Sequence, residues 1–204
     1  MSCSYIRRII FMILGIIIMA FGIVLFKLSL MGNDPSTAMV MAIGNLVSVD
    51  FSLILLGMNS LWFLAEWRWN KKLIGIGTFV NWLFVGPLAS AFDKIILRVW
   101  AVPESFFPRL LLMSAGILVL SLSCALYQTS DVGIAPYDAL SITLSDKSGK
   151  EYFWCRILTD SVCVIIAFAL GGIIGAGTLV CAVGLGPFIN FFTKHIAMPL
   201  VQGK

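Results

Sequence analysis

Charged side chains are scarce in this sequence. Lys, Arg, Asp and Glu make up 12% of its 204 residues, whereas hydrophobic residues make up 60%. Soluble domains carry roughly twice that share of charge, about 25%. A globule of this length still exposes much of its surface to water, so the deficit cannot be hidden in a core. The composition therefore excludes a soluble domain and predicts an outer surface that faces lipid.

Several kinds of catalytic and binding motif are also missing. The sequence has no P-loop and no H-E-x-x-H, and its single histidine, His195, lies near the C-terminal end. The net charge of +4 falls in clusters at the ends of apolar runs, which indicates no nucleic-acid partner. We therefore expect no metal, no cofactor and no catalysis. A membrane-embedded enzyme stays a minor alternative, since no nucleophile–base pair is visible. Five cysteines form no C-x-x-C pair and are expected to pack between helices: Cys3, Cys124, Cys155, Cys163 and Cys181.

Long apolar runs are abundant instead. Crossing the hydrocarbon of a bilayer takes about 20 mostly apolar residues. Arg7 and Arg8 before the first run resemble a secretory signal, but the run is too long and no small-residue cleavage site follows it. We predict an all-α membrane protein of about six transmembrane helices, from these runs: Ile9–Leu30, Ser52–Trp67, Leu73–Phe92, Leu110–Tyr127, Ile157–Leu170 and Gly175–Phe192.

The two halves of the chain repeat one pattern. A shift of about 101 residues superimposes residues that have special backbone or polar roles, whereas chance similarity of apolar sequence would match Leu with Ile. Asn59 falls on Asp160 in this alignment. The repeated motif residues are Gly32 and Gly133, Pro35 and Pro136, and, after a one-residue slip, Gly75, Gly77 and Thr78 with Gly175, Gly177 and Thr178.

This repeat predicts an inverted arrangement of two halves. We assign residues 1–92 to the first repeat, 93–108 to a linker and 109–204 to the second repeat. Each repeat has three spans and one short Pro-started segment, 35–49 or 136–146. A helix of about ten residues rises only about 15 Å, half the hydrocarbon thickness, so these segments are half-helices. Three crossings are an odd number, and the second half must then enter the membrane upside down.

Loop charges agree with this topology. If the N-terminus is cytoplasmic, most basic residues are cytoplasmic and the outer side keeps mainly the linker with Lys94, Arg98 and Arg109. The prediction is a multi-pass protein of the cell membrane with both termini in the cytoplasm. The basic residues predicted on the cytoplasmic side are Arg7, Arg8, Arg68, Lys71, Lys72, Lys147, Lys150, Arg156, Lys194 and Lys204.

The start of each half-helix is the main candidate for a binding site. Glycine ends the preceding helix, proline begins the next, and Asp34 is placed to cap it. Such a helix start carries free backbone N–H groups and a partial positive charge. Paired broken helices of this kind form substrate sites in secondary transporters. The alternative is a connecting helix that lies flat at the membrane interface.

Polar residues in and beside these segments complete the candidate site. Asp160 lies in an apolar helix, where a charged group needs a partner or the protein interior. It either forms a local ion pair with Arg156, four residues earlier, or makes a polar contact across the pseudo-twofold axis. The predicted substrate-binding residues are Asn33, Asp34, Thr37, Asn59, Asn81, Tyr137, Asp138 and Asp160.

The paired motifs resemble one known family. Gly32-x-Asp34-Pro35 and Gly133-x-Ala135-Pro136-Tyr137-Asp138, together with the two Gly-x-Gly-Thr and Gly-Pro elements, are similar to the bacterial YitT/YczE-type family over nearly the whole chain. The resemblance implies a small multi-pass protein of the bacterial cytoplasmic membrane. It implies no settled biochemical activity. Some members accompany genes of secondary-metabolite biosynthesis, which indicates export or regulation.

Two functional hypotheses follow. The first is a small secondary transporter or exporter of a small polar or anionic metabolite, motivated by the two half-helices. The second is a non-transporting membrane partner or regulator of a biosynthetic or signalling complex, motivated by the small size of the chain. The expected partners are the lipid bilayer and a small-molecule substrate. A homodimer is an additional expectation, because so small a bundle leaves little room for a rocking motion.

Overall fold

Helices account for nearly all of the chain. The computed structural model describes residues 3–202, and within this range there is no strand. Residues 1, 2, 203 and 204 lie outside the described range, and so does the prediction for Lys204. The helices are α1 Cys3–Ser29, α2 Pro35–Val47, α3 Phe51–Trp69, α4 Ile76–Val99, α5 Phe106–Thr129, α6 Pro136–Ser148, α7 Tyr152–Ala169, α8 Ala176–Phe192 and α9 Met198–Gln202, with a 3-10 turn at Lys71–Leu73 and a π-helical segment at Thr193–Ala197.

Five helical stretches of residues 3–202 are long and apolar enough to cross a membrane: α1, α4, α5, α7 and the continuous stretch Ala176–Val201. The sixth predicted run does form a helix, α3, but α3 does not reach the same apolar character. Its polar residues Asn59, Glu66 and Arg68 are the reason. Glu66 is buried, and neither of its carboxylate oxygens has a hydrogen-bond partner in the described part of the chain. Composition and length therefore identify five crossing helices, one fewer than predicted.

The connection between the halves is shorter than predicted. Helix α4 continues to Val99 and α5 begins at Phe106, so residues 100–105 connect them instead of 93–108. Asp93 stays helical, and its carboxylate accepts a hydrogen bond from Lys27 on α1 at 2.6 Å. The two Pro-started helices, α2 and α6, are each 13 residues long. They end near the predicted positions, at residues 47 and 148 rather than 49 and 146.

Helices α1 and α5 pack together through small residues. Gly15 lies against the backbone of α5, where an added Cβ would be 2.9 Å from the amide nitrogen of Tyr127. Gly116 on α5 likewise lies against the ring of Phe26 on α1. Small residues allow this close approach of two helices in a membrane. The α1–α5 contact forms the middle of the core, whose fully buried large side chains include Met12, Ile16, Phe26 and Tyr127.

Loops from the opposite half of the chain form backbone hydrogen bonds with the first turns of α4 and α8. The Gly77 amide donates to the carbonyl of Val132 at 2.8 Å, and the Gly177 amide donates to the carbonyl of Met31 at 2.9 Å. Both amides at these helix starts therefore have hydrogen-bond partners inside the protein. The α5–α6 connection therefore closes the start of α4, and the α1–α2 connection closes the start of α8.

The predicted motif glycines form these contacts. Gly32 and Gly133 have φ values of +99° and +122°, a left-handed backbone that side chains disfavour. A Cβ on Gly75 would overlap the carbonyl of Val132, and one on Gly175 would overlap that of Met31. Thr78 accepts a hydrogen bond from the Gly75 amide through its hydroxyl at 3.1 Å. The glycines thus permit the close approach of loop and helix.

Substitution of Gly15 tests the α1–α5 contact. We expect Gly15→Ala to lower the free energy of unfolding by about 1–3 kcal/mol, because the new methyl group meets backbone that cannot move aside. Gly57→Ala is the matched control, since nothing lies within 4 Å of a Cβ there. It should gain up to about 1 kcal/mol from helix propensity. Unfolding of both variants in mixed detergent micelles gives the comparison, and equal stability would contradict the packing assignment.

Candidate functional site

An arginine and two aspartates form a buried ion cluster between α6 and α7. Arg156, in the second turn of α7, donates to the carboxylate of Asp138 in the first turn of α6. The Arg156 Nε also lies 3.2 Å from Asp160 Oδ1, one helical turn further along α7. Asp138 and Asp160 are 6% and 2% exposed, so both carboxylates depend on this one guanidinium for charge compensation.

Tyrosines hold the same two carboxylates. The Tyr137 hydroxyl donates to Asp160 Oδ1 at 2.5 Å, and the Tyr127 hydroxyl donates to Asp138. The Arg156 guanidinium lies over the Tyr137 ring, 4.9 Å from its centroid, which adds a cation–π contact. Each carboxylate therefore has one tyrosine and a share of one arginine. Hydrogen bonds to charged groups of this kind help to fix the side chains in place.

The first turns of both half-helices face one cavity. This central cavity has a volume of about 90 Å³ and lies where α2 and α6 begin. Helix α2 contributes Ser36 and Thr37, preceded by Asp34, and α6 contributes Tyr137 and Asp138. Side chains of four other helices complete the polar part of the lining: Asn59 and Trp62 on α3, Asn81 on α4, Gln128 on α5 and Arg156 on α7.

Each half-helix has a carboxylate at its N-terminal end. Asp34 caps α2 by accepting a hydrogen bond from the Thr37 amide on Oδ1, at 3.2 Å. Its other oxygen, Oδ2, is buried without a hydrogen-bond partner in residues 3–202. In α6 the capping position is held by Ala135, and Asp138 in the first turn carries the negative charge instead. The partial positive charge of both helix ends is therefore met by carboxylates of the protein.

Six of the eight predicted binding residues line the central cavity: Asp34, Thr37, Asn59, Asn81, Tyr137 and Asp138. Asp160 lies behind Tyr137 and Arg156 and does not line it. Asn33 lies apart, because its side-chain amide donates to the sulfur of Met41 at 2.9 Å. Asn33 lines a different cavity, of about 270 Å³, together with Lys27.

A second, larger cavity adjoins the central one. It has a volume of about 580 Å³ and lies between α5, α7 and α8, and we call it the side cavity. Asp160 and Cys181 line only the side cavity, whereas Gln128 and Arg156 line both cavities. Arg156 and Gln128 thus lie between the two spaces. A change in the position of the Arg156 side chain would alter the connection between them.

Some residues of the site differ from their predicted roles. Arg156 was counted with the basic residues of cytoplasmic loops, whereas it lies within α7 in the buried cluster. Its predicted pairing with Asp160 is present, and Asp138 is an additional partner. Gln128 was not predicted, although the shift of about 101 residues aligns it with Lys27, a polar residue in the same place of α1. Trp62, whose ring centroid is 4.8 Å from that of Tyr137, had no such signal.

Comparison with known proteins places the chain in a family. The family model DUF6198, described as a family of unknown function, matches residues 6–194. The chain belongs to this family. A Haemophilus influenzae relative, an uncharacterized protein, is 29% identical over 88% of this chain and 80% of its own length. Two Bacillus subtilis proteins are also similar. The uncharacterized membrane protein YczE is 25% identical over 87% of this chain and 81% of its own length. The uncharacterized protein YyaS is 24% identical over 93% of this chain and 91% of its own length.

These relatives confirm the predicted resemblance to YczE. YczE is described as a membrane protein, and the five apolar helices of the present chain agree with that description. This member of DUF6198 is therefore a membrane protein with several apolar helices. No solved structure matches the chain. Its function must accordingly be inferred from the geometry of the cavities and the ion cluster.

Removal of the Arg156 charge tests the ion cluster. We expect Arg156→Gln to lower the free energy of unfolding by about 3 kcal/mol, because Asp138 and Asp160 then stay buried without a counter-charge. The triple variant Arg156→Gln, Asp138→Asn and Asp160→Asn should recover most of the loss, because it removes all three charges together. Thermal unfolding in detergent measures both. A single variant as stable as the wild type would contradict the assigned charge compensation.

Proposed function

We propose that this protein is a small secondary transporter that moves a small polar metabolite across the bacterial cytoplasmic membrane. The observation that carries the proposal is that two Pro-started half-helices begin at one buried polar cavity. Secondary transporters bind their substrates where discontinuous helices of two repeats meet. Irregular backbone at membrane depth is tolerated where it lines such a cavity, which supports a solute site between α2 and α6.

The proposal includes an inverted repeat of two halves, residues 1–92 and 109–204. Each half would have three crossing helices and one half-helix, with α3 as the third crossing of the first half. Reciprocal contacts support this relation. Gly15 on α1 contacts Tyr127 on α5, and Gly116 on α5 contacts Phe26 on α1. The two glycines are 101 residues apart in the sequence, and so are the two aromatic residues. The Gly77–Val132 and Gly177–Met31 hydrogen bonds are exchanged in nearly the same way. A two-fold relation between halves produces such self-complementary pairs.

Carboxylates at both helix starts bear on the charge of the solute. The sequence left a polar or an anionic metabolite open, and free helix N-termini do attract anions. Here, however, Asp34 and Asp138 already occupy the two helix starts. An anion in the central cavity would lie against these carboxylates. The proposed solute is therefore polar and carries no negative charge.

Arg156 is the proposed element that links the cavities to solute movement. It lines both the central and the side cavity and is held by two carboxylates. Loss of the Arg156–Asp160 contact on protonation of that carboxylate would release one of these partners and let the guanidinium move. Solute in the central cavity and a proton at the cluster would then act on the same side chain, which is the physical basis of coupled transport.

The small central cavity favours one competing function. A volume of about 90 Å³ admits only a very small molecule, so a non-transporting partner or regulator of a membrane complex is the second candidate. Purification from the native membrane under mild detergent distinguishes the two. A stoichiometric protein partner together with no solute flux would favour the regulator.

Flux measurements test the transporter. Purified protein in liposomes should exchange a labelled solute from a panel of small polar metabolites. Asp138→Asn and Asp160→Asn should each slow that flux by about tenfold or more, because each removes a hydrogen-bonded charge of the cluster. Asp50→Asn, at an exposed helix cap, is the control and should keep the wild-type rate. If Asp138→Asn and Asp160→Asn also keep the wild-type rate of flux, the site assignment is wrong.

Labelling of single cysteines tests the inverted repeat. Lys72 and Ile173 are exposed and lie in corresponding connections of the two halves. In a Cys3→Ser background, we expect Ile173→Cys to react with a membrane-impermeant maleimide added to intact cells. Lys72→Cys should react only after permeabilisation, because inversion places the two positions on opposite sides. Reaction of both cysteines from the same side would rule the inversion out.

A further inference from the structure

The charges around the central cavity do not balance. Asp34 and Asp138 line it, and Asp160 lies directly behind, bound to Arg156. Arg156 is the single basic residue among the lining residues. Three carboxylates and one guanidinium leave two negative charges, and the two half-helix N-termini supply about half a positive charge each. When all three carboxyl groups are ionised, about one negative charge is left without compensation.

The uncompensated charge lies on Asp34. Arg156 is engaged with Asp138 and Asp160, and both of these carboxylates also accept from a tyrosine. Asp34 has one backbone hydrogen bond on Oδ1, from Thr37, while Oδ2 has no donor within residues 3–202. The residue is 9% exposed. A buried carboxylate oxygen without a donor is costly, so a hydrogen-bond donor from a ligand would be stabilising here.

The walls of the cavity suit a positive charge. The ring of Trp62 lines it, and aromatic faces attract cations. The neighbouring Tyr137 ring, whose centroid is 4.8 Å from that of Trp62, already carries the Arg156 guanidinium. Asn59 is 4% exposed, lines the cavity, and makes no side-chain hydrogen bond to the described residues. It offers an amide oxygen as a further acceptor. The one cationic donor, Arg156, is already occupied by two carboxylates, so an anion would find little to bind.

We infer that the solute is a small organic cation with an ammonium or guanidinium group, which donates to Asp34 Oδ2 and lies against Trp62. A cavity of about 90 Å³ limits the ligand to a few heavy atoms. The inference rests on the proposed transport function and names the class of its substrate. The cation completes the charge balance that the protein alone leaves open.

Ligand binding to purified protein is the first arm of the test. The probes are ethylammonium, acetamide and acetate, which are close in size and differ in charge. Ethylammonium should bind in calorimetry and raise Tm, whereas acetamide and acetate should do neither. Asp34→Asn should weaken ethylammonium binding at least tenfold, as expected for loss of a hydrogen bond between charged groups. This variant keeps the helix cap, because asparagine caps about as well as aspartate.

Asp50→Asn is the matched control variant. Asp50 caps α3 as Asp34 caps α2, but it is exposed and lies outside the central cavity. Hydrogen bonds from the Ser52 hydroxyl and amide lower the pKa of the Asp50 carboxyl, so Asp50 is ionised at neutral pH. Its substitution removes one negative charge at a helix cap, as Asp34→Asn does. Ethylammonium binding should be unchanged, and an equal loss in both variants would overturn the assignment to Asp34.

Flux in liposomes is the second arm and separates the two proposals. Asp34-dependent binding of ethylammonium without flux would support the cation site and overturn transport. Flux of acetamide or acetate without ethylammonium binding would support transport and overturn the cation inference. A Tm that responds to Na⁺ or to pH but not to ethylammonium would also overturn it, because an inorganic ion or a proton would then balance the charge of Asp34.

Discussion

Backbone groups at a broken helix need hydrogen-bond partners inside the protein when lipid surrounds it. In this chain the partners come from the opposite half. The Gly77 amide meets the Val132 carbonyl, and the Gly177 amide meets the Met31 carbonyl. These contacts hold the connections that precede α2 and α6, and so determine where both half-helices begin. The two Pro-started turns consequently face one cavity and bring polar residues from distant parts of the sequence together.

The ion cluster beside that cavity fixes the conformation of the site more than it stabilises the fold. Dehydration of three charged groups largely offsets their mutual attraction, and apolar side chains of similar volume would pack at least as well. The cluster holds Tyr137 at the central cavity and Arg156 between the central and the side cavity. Charged groups within a membrane protein generally mark a pathway for solute or protons. The arrangement around Arg156 is therefore the part of the molecule that is best explained by function.

Local rules of the backbone made part of this structure predictable. Glycine and proline spacing predicted the starts of α2 and α6, and apolar runs predicted the long helices, because both depend on neighbouring residues only. Helix α4 extends to Val99, into the predicted linker 93–108, and Asp93 in that part contacts Lys27, which is distant in sequence. The Arg156–Asp138 ion pair could not be predicted from the sequence, because it depends on how α6 packs against α7. Asn33 was predicted beside Asp34, but adjacent residues of extended backbone point in opposite directions, and Asn33 faces Met41 instead.

The close packing of α1 on α5 has a consequence for biosynthesis. Helix α1 is made before α5, yet its glycine face at Gly15 and Gly22 contacts Tyr127 and Leu120 on α5, about 100 residues later in the chain. At a synthesis rate of about 5–20 residues per second, that delay is roughly 5–20 s. During this interval the glycine face of α1 has no α5 to pack against. Chaperones or insertion factors of the membrane therefore have a defined window in which α1 is inserted but still without its partner.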